Sequence, residues 1–216
     1  MTRRSLRVVV GALAGIALAS APAHADRREA SLHAHLVGGV ARTGDVDGGD
    51  ADASSALSGV AVRASYATRD LFQYDVALTV LRHGDAEFPD HTFMPAGQPP
   101  VSGAFHVGAF ATRVDAGVTF RLGVRWIPTV RLAAGAQLRR VGEAVVDSPA
   151  GTVIGRDPRL ELAGVGLVAL GLDHRVNRRL IVGAAASGVL ALPIDGAGST
   201  SLEVTAHAAY YWYPRW

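Results

Sequence analysis

Apolar and polar side chains alternate with a period of two residues through most of this chain, and no other feature constrains the fold as much. In the segment 201–213 the even positions from Leu202 to Trp212 are apolar or aromatic, while most odd positions are polar. Such alternation places one face of a β-strand against an apolar medium and the other against a polar one. The same pattern predicts eight strands, at about 30–42, 56–67, 71–82, 107–126, 129–142, 159–172, 179–192 and 201–213.

The links between these strands alternate in length. Short turns are expected at 68–70, 127–128 and 173–178, and longer links rich in Gly, Pro and Asp at 43–55, 83–106, 143–158 and 193–200. Short turns at one rim and long loops at the other are typical of bacterial outer-membrane barrels, whose closure leaves no strand edge unpaired in hydrocarbon. The sequence therefore predicts an all-β fold, an eight-stranded antiparallel up-and-down transmembrane barrel over residues 26–216.

The first 25 residues have the organisation of a cleaved secretory signal peptide. Arg3, Arg4 and Arg7 precede an apolar run at 8–19, and small residues at 23 and 25 mark a cleavage site before residue 26. The run is too short for a membrane-spanning helix. Removal of residues 1–25 takes away three arginines and no acid, which changes the formal charge of the chain from +2 to −1. This balance does not indicate nucleic-acid binding, and the absence of cysteine excludes a disulfide-stapled domain.

Aromatic residues of the outward phase gather at the rim with the short turns, where they would form an interfacial girdle. They are Tyr66, Phe72, Trp126, Tyr210, Trp212 and Trp216. At the opposite rim the outward phase carries Arg42, Arg82 and Arg140. Because guanidinium groups bind phosphate with paired hydrogen bonds, we expect these three to contact lipopolysaccharide in the outer leaflet. The alternative is that they are simply solvated at the strand ends.

A signal peptide, eight amphipathic strands and a last strand ending in aromatics resemble the small eight-stranded outer-membrane barrels, the group of the outer membrane protein A transmembrane domain and the opacity proteins. The resemblance implies export to the outer membrane and contact with its lipids. It also implies that the barrel-assembly machinery reads the last strand, here through Tyr210, Trp212 and Trp216. Pro214 departs from the pattern, because proline cannot donate to a strand ladder.

The inward phase is rich in charge. An eight-stranded barrel is just wide enough to be filled by its own side chains, so these charges should form a lumen network. Its expected members are Arg63, Arg113, Arg121, Arg125, Arg131, Arg139, Asp75, Asp115, Glu161 and Glu203. Register arithmetic across the turns sets Arg63 opposite Asp75, and Arg125 beside Arg131. A plugging network is the first interpretation; a narrow anion-preferring pore is the alternative, because arginines outnumber the acids.

Three histidines, His33, His35 and His207, also belong to the inward phase. Pairing of the first strand with the last sets His207 opposite Val37 and diagonal to His35, within reach on one face. Three imidazoles could bind zinc or copper, or respond to pH. The alternative is that they are hydrogen-bonded lumen residues.

The chain carries no catalytic motif, so we expect no enzyme activity and no cofactor. Ser102, His106 and Asp90 match a hydrolase only by residue type. The expected function is a structural or surface-interaction role for a monomeric barrel with a mostly plugged lumen. Three alternatives stay open: an anion-preferring channel, an outer-membrane lipid-modifying or proteolytic enzyme, and a soluble lipocalin-like barrel that would turn its apolar phase inward.

Overall fold

A computed structural model describes residues 29–43, 53–69, 71–93, 99–148, 151–156, 158–194 and 198–213. The expected signal peptide and the residues Pro214 and Trp216 lie outside the described residues. The described part contains no helix that is long and apolar enough to cross a membrane.

All regular structure in the described residues is β-sheet. The strands are β1 (Glu29–Thr43), β2 (Ala53–Arg69), β3 (Phe72–Phe93), β4 (Val101–Arg121), β5 (Trp126–Val141), β6 (Ala144–Ser148), β7 (Gly151–Arg156), β8 (Arg159–Arg175), β9 (Leu180–Pro193) and β10 (Ser199–Trp212). Eight of them form a closed antiparallel sheet in the order β1, β2, β3, β4, β5, β8, β9, β10, and β10 pairs again with β1. The predicted eight-stranded up-and-down barrel is confirmed.

The register around the barrel sets its tilt and width. Starting at Asp173 on β8 and stepping from partner to partner through β9, β10 and β1 to β5 returns to β8 at Ala163, ten residues away. With a rise of about 3.3 Å per residue and a strand spacing of about 4.8 Å, this shift gives a strand tilt of about 40°. Along this path from β8 through β9 and β10 to β5, each partner residue therefore lies closer to the end of the barrel with the long loops than the residue before it.

The short turns lie at one rim of the barrel, which is called the turn rim. The first and last described residues of the chain lie at the same rim. The predicted end of β4 at residue 126 is wrong: the strand ends at Arg121, and the chain turns through residues 122–125. Gly123 has φ of 102°, a left-handed conformation that glycine adopts without strain and that makes this turn possible. The alternation predicted too long a strand because Val124 and Trp126, both exposed at the rim, continue the apolar phase through the turn.

At the opposite end, the loop rim, β3 and β4 run on as a long hairpin to Phe93 and Val101. The small β6–β7 hairpin joins it, since Phe105 and His106 of β4 pair with β6. The segments 83–106 and 143–158, expected as links, are thus largely sheet. They form a four-stranded extension beyond the barrel wall.

The two faces of the wall follow the sequence alternation. Apolar residues point outward and are exposed, as for Leu36 at 68% and Leu160 at 64%, whereas Arg113 and Glu203 point inward and are 4% and 1% exposed. A soluble barrel would show the reverse arrangement, so the lipocalin-like alternative is wrong.

Candidate functional site

The middle of the lumen holds a buried ion-pair network centred on Arg131 of β5. Its Nε donates to Asp75 Oδ1 at 2.8 Å, and its Nη2 contacts both Asp75 and Asp115. Thr119 Oγ1 donates to the second oxygen of Asp75 at 2.8 Å. One guanidinium thus holds carboxylates from β3 and β4, which ties three neighbouring strands together through the interior.

A second guanidinium extends the network across the lumen. Arg113 of β4 donates from both Nη atoms to Glu203 of β10, and its Nε lies 3.5 Å from Asp115 Oδ2. Ser201 Oγ donates to Glu203 Oε1 at 3.0 Å. Buried carboxylates and guanidinium groups are stable only when paired and hydrogen-bonded, and these satisfy each other.

Near the loop rim lies a separate cluster. Arg139 Nε donates to Glu161 Oε2 at 2.8 Å, and Arg159 contacts the other oxygen of the same carboxylate. Arg139 also donates to Thr43 Oγ1 at 3.3 Å. The cluster crosses from β8 and β5 to β1, so it spans this end of the lumen.

A third cluster closes the turn rim. Arg121 Nη1 lies 3.4 Å from Glu29 Oε2, and Arg175 lies 3.8 Å from the other oxygen. The guanidinium of Arg121 stacks over the ring of Tyr211 at 5.1 Å. Glu29 is fully buried, and its carboxylate balances the positive charges of Arg121 and Arg175 at this rim.

Two expected pairings in this network are wrong. Arg63 lies opposite Ala77, and Ser65 faces Asp75, because β2 continues to Arg69, which pairs with Phe72, so that the register differs from the expected one by two residues. Arg63 donates instead to Nδ1 of His33 at 3.0 Å.

The prediction that Arg125 lies in the lumen is wrong. It lies in the turn before β5 with its side chain exposed, and the partner of Arg131 is Thr119. The end of β4 at Arg121 is the physical reason, since the residues after it no longer point into the barrel.

His33 belongs to a cluster of hydrogen-bonded side chains on β1, β2 and β3. Its Nε2 lies 3.0 Å from Ser31 Oγ and 3.1 Å from Ser65 Oγ, and Gln73 donates to both hydroxyls. Because Arg63 donates to Nδ1 of His33, Nε2 must carry the proton if the ring is neutral. Both nitrogens are therefore engaged, and neither is free to bind a metal.

His207 lies directly opposite His35, not opposite Val37, since the register of β1 and β10 also differs by two residues. The two ring centroids are 4.8 Å apart. His207 Nε2 lies 3.0 Å from Asp173 Oδ1, although the ring is not aligned for a hydrogen bond. In the described part of the chain, no three His, Cys, Asp or Glu residues are placed to hold a metal ion.

Gly183 makes the approach of His207 and Asp173 possible. It lies between them in the register, paired with each. A Cβ added at Gly183 would come within 2.3 Å of Asp173 Oδ1 and 2.9 Å of the His207 ring. The glycine therefore opens the space that the acid and the imidazole share.

Apolar side chains also face the lumen, which the sequence expectation of a polar interior missed. One cluster fills the turn rim: Ile127, Ile181, Ala209 and Tyr211. Two others lie towards the loop rim: Val37, Ala41, Leu57, Leu81 and Ala111, and Val165, Leu167, Val189 and Ala191. All of these residues are buried, and Val37 and Leu167 lie beside the charged groups in the middle of the lumen. Apolar and charged side chains together line a cavity of about 70 Å³ there.

The outer wall carries two belts at different heights. Exposed aromatics near the turn rim are Phe72, Tyr74, Phe120, Trp126, Tyr210 and Trp212. From the register and the tilt, these residues lie within about 10 Å of one height, and the three outward arginines lie about 25–30 Å above them. The wall between the belts is apolar and matches the roughly 25 Å band of outer-membrane barrels.

The arginine belt comprises Arg42, Arg82 and Arg140, all exposed. Arg82 and Arg140 flank Phe110 in the register, on β3 and β5, and Arg42 lies on β1. The three side chains lie within about 6 Å of one height, but Arg42 on β1 is four strands away from Arg140 on β5, on the opposite side of the barrel.

Two buried acids were missed in the sequence. The sequence pattern places Glu29 just before the first predicted strand and Asp173 in the turn after the sixth. Both continue the inward odd-numbered phase of their strands, β1 and β8. Extending the alternation by one or two residues at the turn rim would have found them.

The hydrolase candidates do not form a site in the described residues. Ser102 and His106 lie on one strand, β4, four residues and about 13 Å apart along it. The side chain of Asp90 lies outside the described residues. A nucleophile and its base need hydrogen-bond contact, which this spacing does not provide.

No family model matches the chain, and no curated protein matches its sequence. Among solved structures, the outer membrane protein OprG of Pseudomonas aeruginosa is 10% identical with a TM-score of 0.52, over 87% of this chain and 97% of that one. The attachment invasion locus protein Ail of Yersinia pestis is 15% identical with a TM-score of 0.48, over 87% of this chain and 100% of that one. Neisserial surface protein A is 15% identical with a TM-score of 0.48, over 84% and 96%.

The similarity to OprG is one of fold alone. It agrees with the closed sheet of eight strands, the alternating short and long connections, and the outward apolar band. The chain has the fold of the small eight-stranded outer-membrane barrels.

Proposed function

We propose that the chain is a bacterial outer-membrane barrel with a plugged lumen, acting as a membrane anchor for its sheet extension at the loop rim. The observation that carries this proposal is the closed interior. Arg113 and Arg131 hold acids from β3, β4 and β10 across the lumen, and buried apolar layers lie towards both ends. A conducting pore would need a continuous hydrated path, and a site for catalysis would need accessible, convergent polar groups.

Outer-membrane insertion is supported by the outer wall. Its exposed apolar band would be unstable in water, whereas an aromatic belt and an arginine belt at its two edges fit the two interfaces of a bilayer. The turn rim would then face the periplasm and the loop rim the cell exterior.

Lipopolysaccharide is the proposed lipid partner at the loop rim. Arg42, Arg82 and Arg140 lie at nearly one height on alternate strands, and Arg82 and Arg140, on either side of Phe110, are placed to bind phosphates of one outer-leaflet lipid together. Interfacial arginine also costs little in such barrels.

Planar-bilayer recordings of the refolded barrel test the plug. We expect no stepwise conductance for the native chain, and measurable openings when Arg113→Ala and Glu203→Ala remove the ion pair across the lumen. Stable anion-selective openings of the native chain would contradict the plug and favour the channel.

Fractionation tests the location. We expect the chain in the outer-membrane fraction, with a gel mobility that changes on heating because a folded barrel resists detergent until it is boiled. Recovery as a soluble periplasmic protein would contradict the proposal.

A further inference from the structure

The outer wall of the barrel contains an apolar groove that begins at the aromatic belt. Small outward side chains on β1 and β10 contribute to its lining: Ala34, Ala206 and Ala208. At its end near the turn rim lie Trp126 and His174, whose ring centroids are 4.3 Å apart. The groove has a volume of about 690 Å³, which is comparable with that of pockets that hold small molecules.

The groove runs from the turn rim towards the middle of the membrane wall. From the register and the tilt, Leu36 at its far end lies about 15–20 Å nearer the loop rim than Trp126. Most of its lining residues are apolar, including the exposed Leu172 and Val182. The hydrocarbon core of a bilayer is about 30 Å thick, so one leaflet contributes about half of that. The groove therefore matches an extended acyl chain of one leaflet in length and in polarity.

Three exposed arginines lie at the turn-rim end of this groove. They are Arg125, Arg178 and Arg179. Arg125 directly precedes Trp126 in the chain, and Arg179 Nη1 donates to the hydroxyl of Tyr210 at 3.3 Å. The two turns that carry the arginines are joined, since the backbone N–H of Arg175 donates to the carbonyl oxygen of Arg125 at 2.9 Å. The three guanidinium groups thus belong to one surface beside the aromatic belt.

This surface is cationic and its backbone is held in place. Asn177 Oδ1 accepts from the backbone N–H groups of Arg179 and Leu180 at 2.8 and 2.9 Å, which fixes the turn that carries two of the arginines. No acidic side chain is exposed at the turn rim in the described residues, because Glu29 and Asp173 are both buried. Guanidinium groups bind phosphate with paired hydrogen bonds, so the surface is suited to an anionic headgroup.

We propose that the groove and the three arginines together bind an anionic phospholipid of the periplasmic leaflet. One acyl chain lies in the groove, and the guanidinium groups bind the phosphate of the headgroup. The two ends of a single lipid thus meet matching surfaces at the level of the aromatic belt. Lipopolysaccharide occupies the other leaflet, where its phosphates reach the arginine belt and not the turn rim. The inference rests on the proposed insertion in the outer membrane and adds a lipid of the opposite leaflet.

Quenching of tryptophan emission by brominated lipids tests this site. The full chain with Trp216→Phe is refolded into vesicles of equal phosphatidylcholine and phosphatidylglycerol, with bromine on the acyl chains of one lipid at a time. The remaining tryptophans, Trp126 and Trp212, are exposed in the aromatic belt, so they report the lipid at this rim. We expect phosphatidylglycerol to be enriched about fivefold at these reporters. Equal quenching by the two brominated lipids would overturn the proposal.

A matched pair of variants identifies the headgroup site. Arg125→Ser, Arg178→Ser and Arg179→Ser together should abolish the preference for phosphatidylglycerol. Val124→Ser and Val176→Ser change exposed, uncharged residues of the same two turns and should keep it. An undiminished preference in the arginine variant would overturn the assignment.

A second pair of variants tests the groove without changing any charge. Ala206→Phe places a bulky side chain in the groove and should reduce the enrichment severalfold. Ala64→Phe makes the same change at an exposed outward position of β2, outside the groove, and should leave the enrichment unaltered. Full enrichment in Ala206→Phe would show that the arginines attract anionic headgroups without a seated acyl chain, and would overturn the groove as part of the site.

Gel mobility of the same samples separates this inference from the proposed function. Heat-modifiable mobility after refolding into the vesicles shows that the barrel has inserted. An inserted barrel without a lipid preference would overturn the lipid site alone. A chain that inserts into neither mixed vesicles nor pure phosphatidylcholine would contradict the membrane location and the lipid site together.

Discussion

Arg113 on β4 and Glu203 on β10 clasp each other through two parallel hydrogen bonds, each 2.8 Å long. The two strands lie on opposite sides of the barrel, four places apart in the closed sheet. The pair therefore forms an ion-pair bridge across the lumen, which links two strands that share no backbone hydrogen bonds. Both side chains are buried, at 4% and 1% exposure, so each depends on the other for its compensation.

Removing one partner of this ion pair should destabilise the barrel strongly. Arg113→Leu or Glu203→Leu alone should lower the free energy of unfolding by about 3–5 kcal/mol, because an unpaired charge stays buried. The double variant should recover much of this loss. Urea unfolding of the four proteins in one lipid or detergent gives the coupling energy, and additive losses would show that the two residues act independently.

Gly183→Ala should separate His207 from Asp173. The new methyl group would lie 2.3 Å from the Asp173 carboxylate, so the expected loss is about 1–3 kcal/mol of unfolding free energy. Gly188→Ala is the matched control on the same strand, where an added Cβ meets nothing within 4 Å. There the substitution should be neutral or stabilising by up to about 1 kcal/mol. The two variants behaving alike in the same unfolding assay would contradict this role for Gly183.

The arginine belt is tested by a triple variant. Arg42→Ser, Arg82→Ser and Arg140→Ser together should remove the gain in thermal stability that lipopolysaccharide gives to the refolded barrel, because the phosphates lose their guanidinium partners. The control is a triple variant of exposed arginines at the turn rim, Arg125→Ser, Arg178→Ser and Arg179→Ser. The same lipopolysaccharide gain in both triple variants and in the native chain would mean that the belt is merely solvated.

The last strand is tested for its part in assembly. Tyr210 and Trp212 are exposed on the outward face with ring centroids 6.4 Å apart. Replacing both with alanine should reduce the amount of folded, heat-modifiable barrel in cells severalfold, if they are read during insertion. Tyr74→Ala removes an equally exposed aromatic of the same belt from β3, and should cost only interfacial anchoring. A similar loss of folded barrel from Tyr74→Ala would assign the effect to the belt alone.

Much of the architecture can be predicted from the sequence because successive side chains of a β-strand face two different environments. A wall between lipid and a filled lumen imposes a period of two, so strand number, the two rims, the outward belts and the inward charges all follow from alternation. Arg131, Asp75, Glu161 and Glu203 were expected inside, and the structure places each of them there in an ion pair.

Pairings across the barrel did not follow from that pattern, because alternation fixes the face of a residue and leaves its register open. A shift of two residues keeps every side chain on its face, so the sequence could not tell His207 opposite Val37 from His207 opposite His35. The same ambiguity misplaced Arg63 against Asp75, and Gly123 ended β4 where the apolar phase continued. Contacts through the lumen, such as Arg113 with Glu203, arise only when the closed sheet brings distant strands face to face.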